Sequence, residues 1–256
     1  MANILFKKSY LHKTFDKIPY ESLWNTKGAF TTIRLIGSPP KFLFLKDHLN
    51  NLNGSIKKIN IDFILKSSTL ENLLRNKIKT NVKYDHLLRM AVNSKKISIT
   101  LRKRLKCAAP LKGILVNYQR PNPSIKNLYY KKIFGYLKKI NSEYCEVILM
   151  NKKNILEGCT TNIICVKNKK LYLPKTKYYF GTTLQFIARY TKRKIVKKNI
   201  NVKDLNFFDE ILLTGSGKGI AKIQSIPQVK WNSKSSVIFN ELHDLYNSYI
   251  KNYIAI

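Results

Sequence analysis

The stretch from Ser124 to Asn162 limits the fold more than any other. It opens on an extended, proline-marked approach, Asn122-Pro123-Ser124-Ile125-Lys126-Asn127-Leu128, which carries a single lysine. It closes on Glu157-Gly158-Cys159-Thr160-Thr161-Asn162-Ile163. Between them lie a helical run and the apolar run Val147-Ile148-Leu149-Met150, which reads as a buried strand. The 31 positions from Lys126 to Glu157 suit one helix, one strand and two turns. A chain of this form can bring Glu157 at a strand edge back towards Lys126.

The two groups suit opposite ends of one cofactor. A lysine amine forms a Schiff base with an aldehyde. A carboxylate is the usual partner of the protonated pyridine nitrogen of pyridoxal phosphate. Alone the pair says little, because the chain holds 48 Lys plus Arg and an isolated lysine is ordinarily a solvated surface residue. Glu157 beside Gly158 equally reads as an idle turn carboxylate. Two small-residue turns add an anion-binding theme. Gly181-Thr182-Thr183 precedes a helical run, whose first N–H groups and dipole favour an anion. Gly215-Ser216-Gly217 follows the strand Ile211–Thr214, and its N–H groups with the Ser216 hydroxyl can form an anion nest. Turn and capping chemistry alone also accounts for both, and the spacing through Gly219 is not that of a P-loop.

Order and spacing raise these pieces above their separate weights. Ser124–Leu128, Leu156–Ile163, Leu171-Tyr172-Leu173-Pro174, Gly181-Thr182-Thr183 and Asp209–Ser216 follow one another as in a known family. Gly28-Ala29-Phe30-Thr31-Thr32-Ile33-Arg34 and His48-Leu49-Asn50-Asn51-Leu52 look like its opening motifs. The chain resembles the class IV, fold-type-IV pyridoxal-phosphate enzymes: branched-chain aminotransferases, D-amino acid aminotransferases and aminodeoxychorismate lyases. The resemblance implies an α+β fold of two domains, a small α+β N-terminal one and a barrel-like C-terminal one, in a homodimer. It implies that Lys126 holds the cofactor and then serves as general base and acid. Glu157 would take the pyridine nitrogen, and Thr182, Thr183, Gly215 and Ser216 the phosphate. Arg89, in the strand Leu87–Ala91, would bind a substrate carboxylate, although a surface strand residue is an even alternative. Arg102, Arg104 and Arg120 are further candidates that no pattern singles out. Two positions depart from the family. Asn51 stands where an arginine usually grips the phosphate, and an amide lacks the charge-assisted fork of a guanidinium. Leu184 stands where a second arginine is common, and Lys218 is the candidate substitute.

Composition sets the remaining bounds. Lys plus Arg number 48 against 14 Asp plus Glu, a net charge of +34. That balance suits a nucleic-acid or anionic-membrane binder, but the lysines are spread along the chain and Lys, Asn and Ile are over-used together, which reads as coding bias and sets nucleic acid aside. The four cysteines, Cys107, Cys145, Cys159 and Cys165, show no metal-ligand spacing and read as reduced cytosolic thiols. No run approaches the ~20 apolar residues of a membrane span, and the N-terminal apolar run is too short for a signal peptide. Tyr118–Ser124, with Pro121 and Pro123, marks a linker, so the expected domains are 1–118 and 119–256. A helix is expected after Lys126 along Leu128, Ile133, Leu137 and Ile140, and Ser68-Thr69-Leu70-Glu71 resembles a capping box.

The short chain and its Gly28–Arg34 motif resemble the lyase version of the family. The expected reaction is therefore elimination of pyruvate from 4-amino-4-deoxychorismate, giving the folate precursor 4-aminobenzoate. The alternatives are transamination of branched-chain or D-amino acids, and a basic binding protein without chemistry on the same scaffold.

Overall fold

The computed structural model describes residues 4–107 and 110–255. The chain forms two compact units. The first holds the residues up to Leu105, the segment Ile125–Lys131 and the C-terminal end. The second holds Lys106–Ser124 and Lys132–Tyr253. The sequence boundary after residue 118 thus falls later than the division at Leu105, and the segment carrying Lys126 belongs with the N-terminal unit.

The first unit contains β1 (Ile4–Leu11), β2 (Lys17–Ile18), β3 (Gly28–Gly37) and β4 (Lys41–Phe42), helices α1 (Leu45–Lys58) and α2 (Ser67–Leu74), then β5 (Tyr84–Asn93) and β6 (Lys96–Lys103). Its strands form one antiparallel sheet in the order β2-β1-β6-β5-β3-β4. Two-residue alternation gives the sheet two unlike faces. Ile97, Ile99 and Leu101 of β6 and Leu88, Met90 and Val92 of β5 enter a core closed by Leu49, Leu52 and Ile56 of α1 and Leu70 and Leu74 of α2. Each such side chain stabilises the fold by about 1.5–3 kcal/mol on burial. The other face carries Ser98, Thr100 and Arg102 of β6 and Arg89 of β5, with Arg89 opposite Thr100.

The lysine segment lies along β3. The Phe30 N–H donates to the Lys126 carbonyl at 2.9 Å, and the Leu128 N–H donates to the Gly28 carbonyl at 3.1 Å. Gly28 allows this approach: a Cβ there would stand 2.3 Å from the Val92 carbonyl oxygen and 2.6 Å from Leu128 Cδ1. Because Leu128 is committed to β3, the helix expected after Lys126 is only the short α3 (Lys131–Leu137). Helix α2 begins after Lys66 with no side-chain cap, so the capping box does not form.

The second unit continues with β7 (Leu111–Asn117), β8 (Cys145–Asn151), β9 (Asn154–Gly158), β10 (Asn162–Lys167) and β11 (Lys170–Pro174). Helix α4 (Thr182–Tyr190) follows, then β12 (Ile195–Lys198), β13 (Ile200–Asn201), β14 (Glu210–Gly215), β15 (Gly219–Ile226), β16 (Trp231–Asn232) and helix α5 (Val237–Ala255). The sheet order is β12-β11-β10-β14-β15-β7-β8-β9-β13, with β16 on β15. The β11–β12, β15–β7 and β7–β8 pairs are parallel. Strands from all along this order feed one core, from Cys165 and Ile211 through Ile223 and Leu111 to Ile148, Ile155 and Ile200. A sheet whose distant strands share one core curls upon itself, which is the barrel-like domain expected.

Candidate active site

Glu157 sits near the end of β9, opposite Leu149 of β8 in the ladder. It is 3 % exposed, so the idle turn carboxylate is excluded. Arg120 grips it as a fork: Nε donates to Oε1 at 2.7 Å and Nη2 to Oε2 at 2.7 Å. The Tyr179 N–H adds a bond of 3.2 Å to Oε2. A carboxylate offers about four acceptor positions, and these three bonds leave one, on Oε1. A buried anion with a guanidinium behind it and one acceptor position open is matched to a protonated ring nitrogen. The donor set therefore fits pyridoxal phosphate at its pyridine end.

Asn162, at the start of β10, ties the small-residue turns to the Glu157 turn. Its Oδ1 accepts from the Gly181 N–H at 3.1 Å, and its Nδ2 donates to the Tyr179 carbonyl. A Cβ on Gly181 would come within 2.7 Å of Asn162 Oδ1. Helix α4 starts there, with Thr182 and Thr183 buried in its first turn and no side chain capping it. Asn162 also pairs with Thr214 across β10 and β14, which places Gly215 and Ser216 next along the chain. A Cβ on Gly215 would lie 3.1 Å from the Thr160 carbonyl oxygen. Glu157, Thr182, Thr183, Gly215 and Ser216 thus gather around one asparagine within the second unit. Leu184 is 1 % exposed, so the family's arginine position is absorbed into packing.

The candidates of the first unit form a separate group. Lys126 Nζ stands 5.2 Å over the Phe30 ring. The Phe30 ring meets Trp24 edge-on at 4.8 Å, and Arg89 lies 4.6 Å over Trp24. Burial lowers the Arg89 pKa, the nearby Tyr20 opposes that, and the charge of Arg102 lowers it further. Among the described residues no carboxylate pairs with Arg89, so its positive charge is available to an anion. His48 is buried on α1, with the Thr31 hydroxyl 2.8 Å from Nδ1. Burial, and next the charge of Lys126, pushes its pKa down to about 3, so the imidazole is neutral.

The three unassigned arginines separate by environment. Arg104 forms a fork on Asp85, which also takes Arg34, and Arg102 shares a face with Arg89. Arg120 is the site residue that the sequence does not single out. The proposed substitute cation Lys218 needs correction: its Nζ donates to the Ser142 carbonyl at 2.7 Å and lies 3.9 Å from Glu146, so its charge is already committed within the fold. The cysteines are free thiols, and burial pushes Cys165 up to about 12 and Cys159 higher still, so neither acts as a nucleophile. No helix among the described residues is long and apolar enough to cross a membrane.

The amino-transferase class IV family model matches residues 28–226, well over half of the chain. The chain belongs to the class IV aminotransferase family. As a member of that family it is a pyridoxal-phosphate-dependent enzyme. It is 25% identical to a protein of Methanocaldococcus jannaschii named "putative branched-chain-amino-acid aminotransferase", over 81% of each chain. A branched-chain aminotransferase of Thermoproteus uzoniensis, solved with norvaline, superposes with a TM-score of 0.78 at 18% identity, covering 94% of this chain and 93% of that one. A "putative 4-amino-4-deoxychorismate lyase" of Legionella pneumophila gives 0.71 at 19% identity, over 86% and 90%. At these identities the structural matches establish the fold: the chain has the fold-type-IV architecture.

Proposed function

We propose that the chain is a lyase of the class IV family that releases pyruvate from 4-amino-4-deoxychorismate to give 4-aminobenzoate. The observation that carries the pyridoxal-phosphate chemistry is the buried Glu157–Arg120 fork with one acceptor position left open. Lys126 holds the cofactor, Glu157 takes its ring nitrogen, and Thr182, Thr183, Gly215 and Ser216 take its phosphate. When bound, pyridoxal phosphate supplies an electron sink for the charge that develops at the substrate carbon bearing the amine. Arg120 holds Glu157 in place through its two-bond fork as that charge develops. Lys126 removes the proton from that carbon and returns it to the departing pyruvyl carbon as the C–O bond breaks. Arg89, backed by Trp24 and without an acidic partner among the described residues, takes a substrate carboxylate. The Gly28–Arg34 motif favours the lyase.

Transamination is the second reading, favoured by the name of the M. jannaschii relative. Two measurements separate them. The purified protein is expected to turn yellow with pyridoxal phosphate, and borohydride to fix the cofactor on the peptide containing Lys126. A protein that stays colourless, or a label on another lysine, overturns the assignment of Lys126. Offered 4-amino-4-deoxychorismate and, separately, leucine with 2-oxoglutarate, the protein should form 4-aminobenzoate from the first alone. Glutamate formed in the second, with no 4-aminobenzoate from the first, makes it an aminotransferase.

A further inference from the structure

Two charged residues in the second unit, Glu146 buried and Lys218 partly exposed, lie beside the site without touching any group assigned a role. Glu146 of β8 is 1 % exposed, and its carboxyl lies directly under the Glu157 turn. A Cβ on Gly158 would stand 3.3 Å from both Cγ and Cδ of Glu146, and 2.1 Å from Thr161 Oγ1. Lys218 lies between β14 and β15, in the same turn as Ser216. Its ammonium reaches away from that turn, to the Ser142 carbonyl at 2.7 Å and Glu146 Oε2 at 3.9 Å. The Ser216 turn is thus seated at both ends, by the Gly215 backbone against Thr160 and by Lys218 down to Glu146.

We infer that Glu146 and Lys218 are positioning residues that lock the Ser216 turn against the Glu157 turn, and so fix the spacing between phosphate grip and ring-nitrogen acceptor. The inference rests on the proposed reading of Ser216 as a phosphate ligand. A plain core role accounts for the pair poorly. A buried carboxylate beside a largely buried ammonium carries a desolvation penalty that an apolar pair of similar volume does not. Burial lifts the Glu146 carboxyl to about 6, opposed first by Lys218 and then by the Thr160, Thr161 and Cys159 groups facing it.

The test compares pyridoxamine 5′-phosphate with pyridoxamine, which differ only in the phosphate and need no bond to Lys126. The wild-type protein is expected to prefer the phosphorylated ligand, and Ser216→Ala to reduce that preference. Lys218→Met and Glu146→Gln should each reduce it about ten-fold, with the double variant no lower than either single one, as for two members of one pair. Lys218→Arg, which keeps the charge, should restore most of it. The inference fails if the variants weaken both ligands equally or neither. It also fails if both single variants lose cooperative melting, since the pair would then belong to the core. If the wild-type protein shows no preference, or Ser216→Ala leaves it intact, the phosphate reading itself is wrong. If Ser216→Ala acts and the pair does not, only the present inference is wrong.

Discussion

Glu157 and Arg120 show what one buried pair demands. Their side chains are 4 % and 3 % exposed, and removing one partner leaves the other charge uncompensated. Arg120→Met is therefore expected to lower the unfolding free energy by about 3–5 kcal/mol in urea titrations. Adding Glu157→Gln to it should recover part of that loss, because the orphaned charge is gone. A loss below about 1 kcal/mol, the scale of a surface ion pair, would show that water reaches the site. Glu157 is legible in the sequence because its neighbours form a motif. Arg120 is not, although it is the stronger partner. Its carboxylate lies 37 positions away, and three arginines of similar sequence context end on Asp85, beside Arg89 and on Glu157. What separates them is burial, which a local pattern does not encode.

At the scale of elements, α1 shows both the reach of periodicity and its limit. Leu49, Leu52 and Ile56 fall at helical spacing and do line the core. The same reasoning fails after Lys126, where backbone bonds to β3 hold the chain extended. Helix α1 also carries His48 into the core, and this has a pH consequence. An unfolded histidine takes a proton near 6.5, whereas folded His48 does so only near 3. The unfolded state binds the extra proton between those values, so the stability that His48 contributes is present above about pH 6.5 and lost as pH falls towards 3. Glu146 acts in the opposite sense. Its folded pKa of about 6 exceeds the ordinary value of 4.5, so it adds stability as pH falls from 6 to 4.5. In the wild type the two oppose each other, while the lowered pKa values of His86 and Asp85 add to the acid loss. His48→Gln is expected to flatten the loss of stability between pH 6.5 and 4 by about 3 kcal/mol. Glu146→Gln should steepen the fall between pH 6 and 4.5 by about 2 kcal/mol. Urea midpoints at four pH values check both signs, and parallel profiles for wild type and His48→Gln would mean that His48 titrates normally.

For the whole molecule, charge is the property that no single element explains. One-to-one pairing of 14 acids against 48 bases leaves 34 cations without an acidic partner. Several acids are already engaged: Asp85 by Arg34 and Arg104, Glu241 by Arg193, Asp209 by Lys167, Glu157 by Arg120. The surplus repels itself, and repulsion between exposed charges acts over a Debye length, roughly 30 Å at 0.01 M salt and 3 Å at 1 M. Sodium chloride raised from about 0.01 M to 0.5 M should therefore raise the melting temperature by several degrees. A melting temperature that falls with salt would mean that surface ion pairs outweigh the repulsion. The same field bears on the basic-binder alternative. Lysines spread along the chain attract polyanions through screened contacts, so a heparin column should release the protein at modest salt, while cofactor fixed on Lys126 by borohydride stays bound at any salt. Heparin retention persisting near 1 M salt would instead require many cations gathered on one surface, and the charge would then be a working part of the protein.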